Sequence, residues 1–190
     1  MFSVLNLYKP DGYTSHDMVA KMRRLFGLKK VGHAGTLDPL AEGVLPICLG
    51  HGTRLIEFLP SDKRYRVELT FGITTITLDR EGDETRRKAC PSLTQEQLES
   101  VLPRFIGDAI QQQIPMHSAK RVNGKKLYEM AHKGQSIETP FKTVSIYDVQ
   151  LVSFTLDTEH PKAEIDVHCG SGTFMRALVR DIGEALGTGA

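Results

Sequence analysis

Alternation of apolar and polar residues recurs along this chain in separate stretches, and it limits the fold more than any other feature. Arg64–Phe71 alternates over eight residues and Ser3–Tyr8 does the same, the spacing of strands that turn one face to a core. An apolar run from Val44 to Leu49, with further candidates at Ser118–Val122, Thr143–Leu156 and Lys162–Cys169, extends the set of expected strands. Helical spacing is confined to fewer places. Met18, Val19, Met22, Leu25 and Phe26 define one helix, capped by Thr14 or Ser15 and stopped by Gly27. Thr94-Gln95-Glu96-Gln97 fits a capping box ahead of Leu98, Val101, Leu102 and Phe105, and Pro103 predicts a break in that helix. Short helices are expected around Arg54–Leu59 and over Lys125–Lys133, the latter behind an Asn123-Gly124 turn and ended by Gly134. A final helix runs from about Phe174 to Leu186, with Met175, Leu178, Val179, Ile182 and Leu186 on its buried face. Strands dominate and helices interrupt them irregularly. The pattern predicts an α+β fold with a mixed or antiparallel central sheet and flanking helices, not a regular βαβ array.

The 190 residues suit one domain with a single sizeable core. No stretch free of Lys, Arg, Asp and Glu exceeds 11 residues, whereas a spanning helix needs roughly 18 predominantly apolar ones, so no membrane span is expected. The first nine residues carry no secretory pattern, and a cytoplasmic location is the expectation. Cys48, Cys90 and Cys169 are odd in number, far apart and in no CxxC pair, which predicts reduced, buried thiols and neither a disulfide framework nor a zinc site.

Charge is balanced in total, at 24 basic against 23 acidic residues, but not along the chain. Residues 1–66 and 111–145 each carry a net +4, while 67–110 carry −3 and 146–190 carry −4. Two basic blocks that converge on one face form a groove for a polyanion such as nucleic acid.

The densest unusual segment is Gly32-His33-Ala34-Gly35-Thr36-Leu37-Asp38-Pro39-Leu40-Ala41-Glu42-Gly43. Its glycines and small residues bring backbone close to whatever lies above it, and Asp38 is its one carboxylate before Glu42. On its own an Asp-Pro step reads as a turn. The segment lacks the Gly-Lys-Ser/Thr ending of a phosphate loop.

From Gly32 to Pro46 this segment closely resembles the catalytic motif of the TruB-type tRNA pseudouridine synthases. Further segments agree with that family in order: Lys9-Pro10-x-Gly12-x-Thr14-Ser15, Lys63-Arg64-Tyr65, Thr75-x-Thr77-x-Asp79-x-x-Gly82, and Ser118-Ala119-Lys120 to Leu127-Tyr128-Glu129. The last is Cys169-x-x-Gly172-Thr173-Phe174-Met175-Arg176-x-Leu178-x-Arg180-Asp181, so the resemblance covers essentially the whole chain.

The resemblance implies the pseudouridine synthase catalytic fold and an activity that isomerises uridine to pseudouridine in the T-loop of tRNA, at position 55, with no cofactor and no metal. It implies that Asp38 is the essential carboxylate, acting as nucleophile or as base, and that Arg176 pairs with it and favours its ionised form. Tyr65 matches the aromatic that stacks on the target base, and His33 a group that positions the flipped nucleotide. Phe174 and Leu178 belong to the same substrate-binding set. Chemistry at C1′ and C5 is out of reach inside stacked RNA, so the uridine has to be splayed into a pocket. Lys120 and Arg121, with Lys125, Lys126 and Lys133, fall where the family carries a thumb-like RNA-gripping insertion, here about 115–142. Arg23, Arg24, Lys29 and Lys30 extend the same basic surface. The expected partner is the tRNA T-arm, engaged by a monomer without guide RNA.

Three positions depart from the family pattern. Ile76 stands for an acidic residue, Phe174 for Tyr, and Lys142 for an arginine, which keeps charge without a planar fork. Relatives also continue past Gly187-Thr188-Gly189-Ala190, with the end of the core and a PUA RNA-binding domain. The expectation is therefore a C-terminally truncated form with weaker RNA affinity and lower stability. Intact Asp38 and Arg176 argue against a non-catalytic RNA-binding protein, and a glycosidase would need a second convincing carboxylate that the motif lacks.

Overall fold

The N-terminal alternation becomes strand β1, Phe2–Lys9, whose odd-numbered side chains turn inward. In the computed structural model, which describes residues 2–122, 124–156 and 159–190, the chain divides into two compact units, Met1–Ser61 and Asp62–Ala190. In the first unit helix α1, Ser15–Phe26, starts at a capping box. The Thr14 hydroxyl accepts from the Asp17 N–H, and the Asp17 carboxylate accepts from the Thr14 N–H. Gly27 ends it in the left-handed conformation at φ 62°, as its position after Phe26 predicts. Strands β2, Val31–His33, and β3, Gly43–Gly50, complete a three-stranded antiparallel sheet of order β1-β3-β2. Lys9 pairs with Gly43 and His33 with Ile47, so both ends of the Asp38 loop grow out of paired strands. His33 thus ends a strand, because β3 offers these three residues a ladder too short for sequence periodicity to signal. Met18 and Val19 of α1 pack on Val31, Leu45, Ile47 and Leu49, and a 3-10 helix, His51–Phe58, follows. Each of these buried aliphatic side chains contributes about 1.5–3 kcal/mol relative to exposure.

The second unit is built on a four-stranded antiparallel sheet. It begins with β4, Lys63–Thr70, followed by a short hairpin of β5, Ile73–Thr75, and β6, Glu84–Arg87. Helix α2, Gln95–Val101, has the predicted capping box at Thr94 and gives way at Pro103 to a 3-10 turn, Leu102–Phe105. Strand β7, Gly107–Gln113, leaves no mark in the sequence, since Gln111-Gln112-Gln113 lacks an apolar phase. The basic segment forms a two-residue ladder of β8, Arg121–Val122, and β9, Lys125–Lys126, and then α3, Leu127–Ala131. Asn123 of the expected turn lies outside the described residues. Strand β10, Phe141–Thr155, β11, Lys162–Cys169, and helix α4, Met175–Ala185, close the chain. The sheet order is β4-β11-β10-β7. Leu69, Ile146, Ile165 and Val167 on its inner face pack with Leu98, Leu102, Leu178 and Ile182 of the helical elements.

All three cysteines are free; Cys48 and Cys169 are buried, but Cys90 only partly so. Burial pushes each thiol pKa up, the condition of an unreactive sulfhydryl. Among the described residues no helix is long and apolar enough to cross a membrane.

Candidate active site

Asp38 is exposed at the tip of the β2–β3 loop, and its carbonyl accepts from the Ala41 N–H, so Asp38-Pro39-Leu40-Ala41 is a turn with proline at its second position. The residues on either side of Asp38 are tied down. The Ser15 hydroxyl, buried at the start of α1, accepts from the Leu37 N–H at 2.9 Å and donates to the Leu37 carbonyl. On the other side the Pro39 carbonyl accepts from both the Gly12 N–H and the Lys9 ammonium, each at 3.0 Å. Lys9 is wholly buried and also donates to the carbonyls of Pro10 and Tyr13. Burial lowers its pKa from the ordinary value, while Asp11, Asp38, Asp17 and Glu42 pull the other way. The Lys9-Pro10-x-Gly12-x-Thr14-Ser15 segment thus acts as a bracket for the aspartate loop. The roles of Lys9 and Ser15 in it come from contacts distant in the chain. A signal for Lys9 is present, because alternation through Ser3, Leu5 and Leu7 places Lys9 on the inward phase, where a charge needs partners.

His33, partly buried at the end of β2, donates from Nδ1 to the Gly35 carbonyl, which fixes the proton on that nitrogen in the neutral ring. Next to the loop the Lys21 ammonium lies 3.6 Å from the centre of the Tyr13 ring.

Arg176 lies on the first turn of α4 and is held by a second loop. Its Nη1 donates to the Thr77 carbonyl at 2.8 Å and to the Asp79 carboxylate at 3.3 Å, and its Nη2 to the His117 carbonyl at 3.1 Å. The Thr-x-Thr-x-Asp-x-x-Gly segment is self-bonded. Thr75 Oγ1 accepts from the Asp79 N–H and donates to its carbonyl, and Thr77 Oγ1 donates to the Asp79 carboxylate at 2.6 Å. Leu78 takes a left-handed φ of 61°, alone among the described non-glycine residues. Asp79, which its motif alone gives no role, is the acidic partner that the described contacts give Arg176. Arg176 and Asp38 belong to different units, and each is placed here within its own.

The other expected site residues divide by burial. Tyr65 is half-buried on the inner face of β4 and packs on the main cluster, while Leu178 is fully buried within that cluster. Phe174 is the residue before α4, partly exposed. Arg121 and Lys125 are exposed on the two-residue ladder, Lys120 is exposed just before it, and Lys133 is exposed in the turn after the short helix that the buried Leu127 anchors. Lys126 is engaged locally, its ammonium 3.3 Å from Glu129. Beside Arg176 the rings of His117 and His132 meet edge to face at 6.4 Å, and Tyr128 abuts His132 at 6.1 Å. Burial first, then His132 and Arg176, hold the His117 pKa below its ordinary value, against Asp79. Among the described residues no three His, Cys, Asp or Glu side chains gather at metal-binding range.

Residues 23–175 match the family described as TruB family pseudouridylate synthase (N terminal domain), and the chain belongs to that family. It is 46% identical over 190 residues to the tRNA pseudouridine synthase B of Acaryochloris marina, covering all of this chain and 65% of the relative. Its identity to the protein of that name from Caldanaerobacter subterraneus is 50% over 184 residues, covering 96% of this chain and 63% of the relative. The chain therefore spans somewhat less than two thirds of the length of the curated relatives it matches. Among solved structures it is similar to the crystal structure of a Cbf5-Nop10-Gar1 complex, with TM-score 0.69 and 28% identity over 98% of this chain and 45% of that one. A structure of an H/ACA RNP bound to a substrate RNA containing 2'-deoxyuridine matches at TM-score 0.66 and 27% identity, over 98% and 43%. These matches agree with the expected family and with the α+β fold of antiparallel sheets and flanking helices.

Proposed function

We propose that this chain isomerises uridine to pseudouridine in the T-loop of tRNA, at position 55, acting in the cytoplasm as a monomer on the T-arm without a guide RNA. The C1′–N1 bond of the nucleotide breaks, uracil turns, and a C1′–C5 bond forms. The proton on C5 is released and N1 gains one, so the exchange is redox-neutral and needs no cofactor or metal. The observation that carries this reading is the pinning of Leu37 by Ser15 and of Pro39 by Lys9 and Gly12, which holds Asp38 in a set position at an exposed tip. Such preorganisation is what a carboxylate acting on a sugar or base requires. In this reading Asp38 meets the nucleotide ionised, as nucleophile or base, and Arg176 supplies the cation that favours that form. His33 positions the nucleotide, Tyr65 stacks on the base, Phe174 contacts it, and Leu178 backs the pocket from the core. Lys120 and Arg121 grip phosphates from the segment 115–142.

The test is release of tritium from a tRNA transcript labelled at uracil C5, with the parent chain and Asp38→Asn. Release by the parent, reduced by about 10³-fold or more in Asp38→Asn, supports the reading. No release by the parent while tRNA still binds makes this an RNA-binding chain without turnover, and the reading fails.

A further inference from the structure

Gln112 and Lys142 face each other across the β7–β10 ladder, and both side chains reach the same turn, Ser171–Phe174, which leads into α4. Gln112 is completely buried, and its amide is spent on the two peptide groups of one residue. Oε1 accepts from the Phe174 N–H at 3.0 Å, and Nε2 donates to the Phe174 carbonyl at 3.3 Å. That carbonyl also accepts the first helical bond, from the Leu178 N–H. Phe174 itself offers α4 no side-chain cap, and Gln112 supplies from strand β7 the acceptor for the N-cap N–H that the third helical residue of a capping box ordinarily supplies locally. Lys142 takes the preceding residues, donating to the Gly172 carbonyl at 3.0 Å and reaching that of Ser171 at 3.5 Å. Gly172 has φ +75°, and a Cβ there would come within 2.0 Å of the Lys142 ammonium, so the glycine is needed for the lysine to lie where it does. Arg176 follows Phe174 by two residues.

We infer that Gln112 and Lys142 are positioning residues that together set the entry of α4, and through it the direction of the Arg176 guanidinium and of the Phe174 ring. The inference rests on the proposed role of Arg176 in the isomerisation. The arrangement parallels the Ser15 grip on Leu37: a buried polar side chain takes both backbone groups of the residue next to, or nearly next to, a functional one. A satisfied buried amide serving stability alone would bring the same hydrogen bonds, and kinetics separate the two roles.

The experiment compares Gln112→Leu, Gln112→Glu and Lys142→Met with the parent for single-turnover tritium release, RNA dissociation constant, melting temperature and the Nε–H resonance of Arg176. Gln112→Leu is expected to slow the chemical step by about 10²-fold with the dissociation constant within about threefold, and to shift or broaden the Arg176 resonance. Lys142→Met does the same more weakly and remains informative if Gln112→Leu does not fold. Ionised Gln112→Glu accepts from Phe174 N–H but cannot donate to its carbonyl, so its rate recovers as falling pH protonates the buried carboxyl. Folded variants with parental rates and an unmoved Arg176 resonance overturn the inference, as does a loss of rate that tracks the loss of folded protein and shows no recovery at lower pH. If the parent releases no tritium, the catalytic reading fails separately and the Arg176 resonance alone decides the positioning claim.

Discussion

The Lys9 ammonium donates to the Pro39 carbonyl across 3.0 Å, so the residue after Asp38 is tied to the end of a strand 30 positions earlier. The same ammonium holds the carbonyls of Pro10 and Tyr13, and no part of it is exposed. A buried cation is tolerated here because three backbone oxygens stand in for water. Lys9→Met keeps the length of the side chain and removes all three donors, leaving the carbonyls without that partner. The expected destabilisation is about 2–4 kcal/mol, read as a lower urea midpoint with an unchanged slope. The C5 tritium release of the folded fraction should fall as well, since the Asp38 turn loses one of its two anchors at Pro39. A midpoint equal to that of the parent contradicts this account of the bracket.

The His117 imidazole leads to a pH dependence whose sign is fixed. Burial, His132 and Arg176 lower its folded pKa, so the unfolded chain binds the proton more readily. The stabilising contribution of the neutral ring is present above the unfolded value of about 6.5 and is lost as pH falls below that value through the folded one. Protonation places a cation beside His132 and the Arg176 guanidinium, so the segment from His117 to His132 should loosen first. Melting temperature measured from pH 8 to pH 5 is expected to decline below about 6.5 in the parent, and less in His117→Phe. Identical profiles for the two proteins would remove His117 as the cause.

Where the sequence announced these elements, it did so through local signals. Thr14 and Thr94 with their partners three residues on, Gly27, Pro103 and the phase of Lys162–Cys169 each act over one turn or one strand, and each element lies where those signals place it. Strand β7 escaped because its pairing to β10 is a tertiary fact, and Gln112 faces inward on a hydrogen-bonding task that no apolar pattern marks. The site divides in the same way. Asp38 and Arg176 stand out through their motifs, but the contacts around them, Ser15 to Leu37, Asp79 to Arg176 and Gln112 to Phe174, act across 22, 97 and 62 positions of chain. Such partners leave no periodicity, and only the folded chain brings them together.

Gly82 offers a probe of the loop that holds Arg176 without touching Arg176 itself. A Cβ at this position would lie 2.1 Å from the Thr77 hydroxyl and 2.8 Å from the Thr77 N, so Gly82→Ala forces Thr77 aside. Thr77 contributes both the carbonyl that accepts from Arg176 at 2.8 Å and the hydroxyl that donates to Asp79 at 2.6 Å, so its displacement disturbs the guanidinium on two sides. The folding cost expected for such crowding is about 1–3 kcal/mol, while a misdirected guanidinium is expected to slow single-turnover tritium release by roughly 10-fold or more in the fraction that remains folded. Thr77→Ser separates the contributions, because it keeps the hydroxyl and the carbonyl and removes only the methyl; it should retain nearly parental rates. The explanation survives only if Gly82→Ala is slow and Thr77→Ser is not. A parental rate in folded Gly82→Ala means that the Thr77–Asp79 loop does not set Arg176.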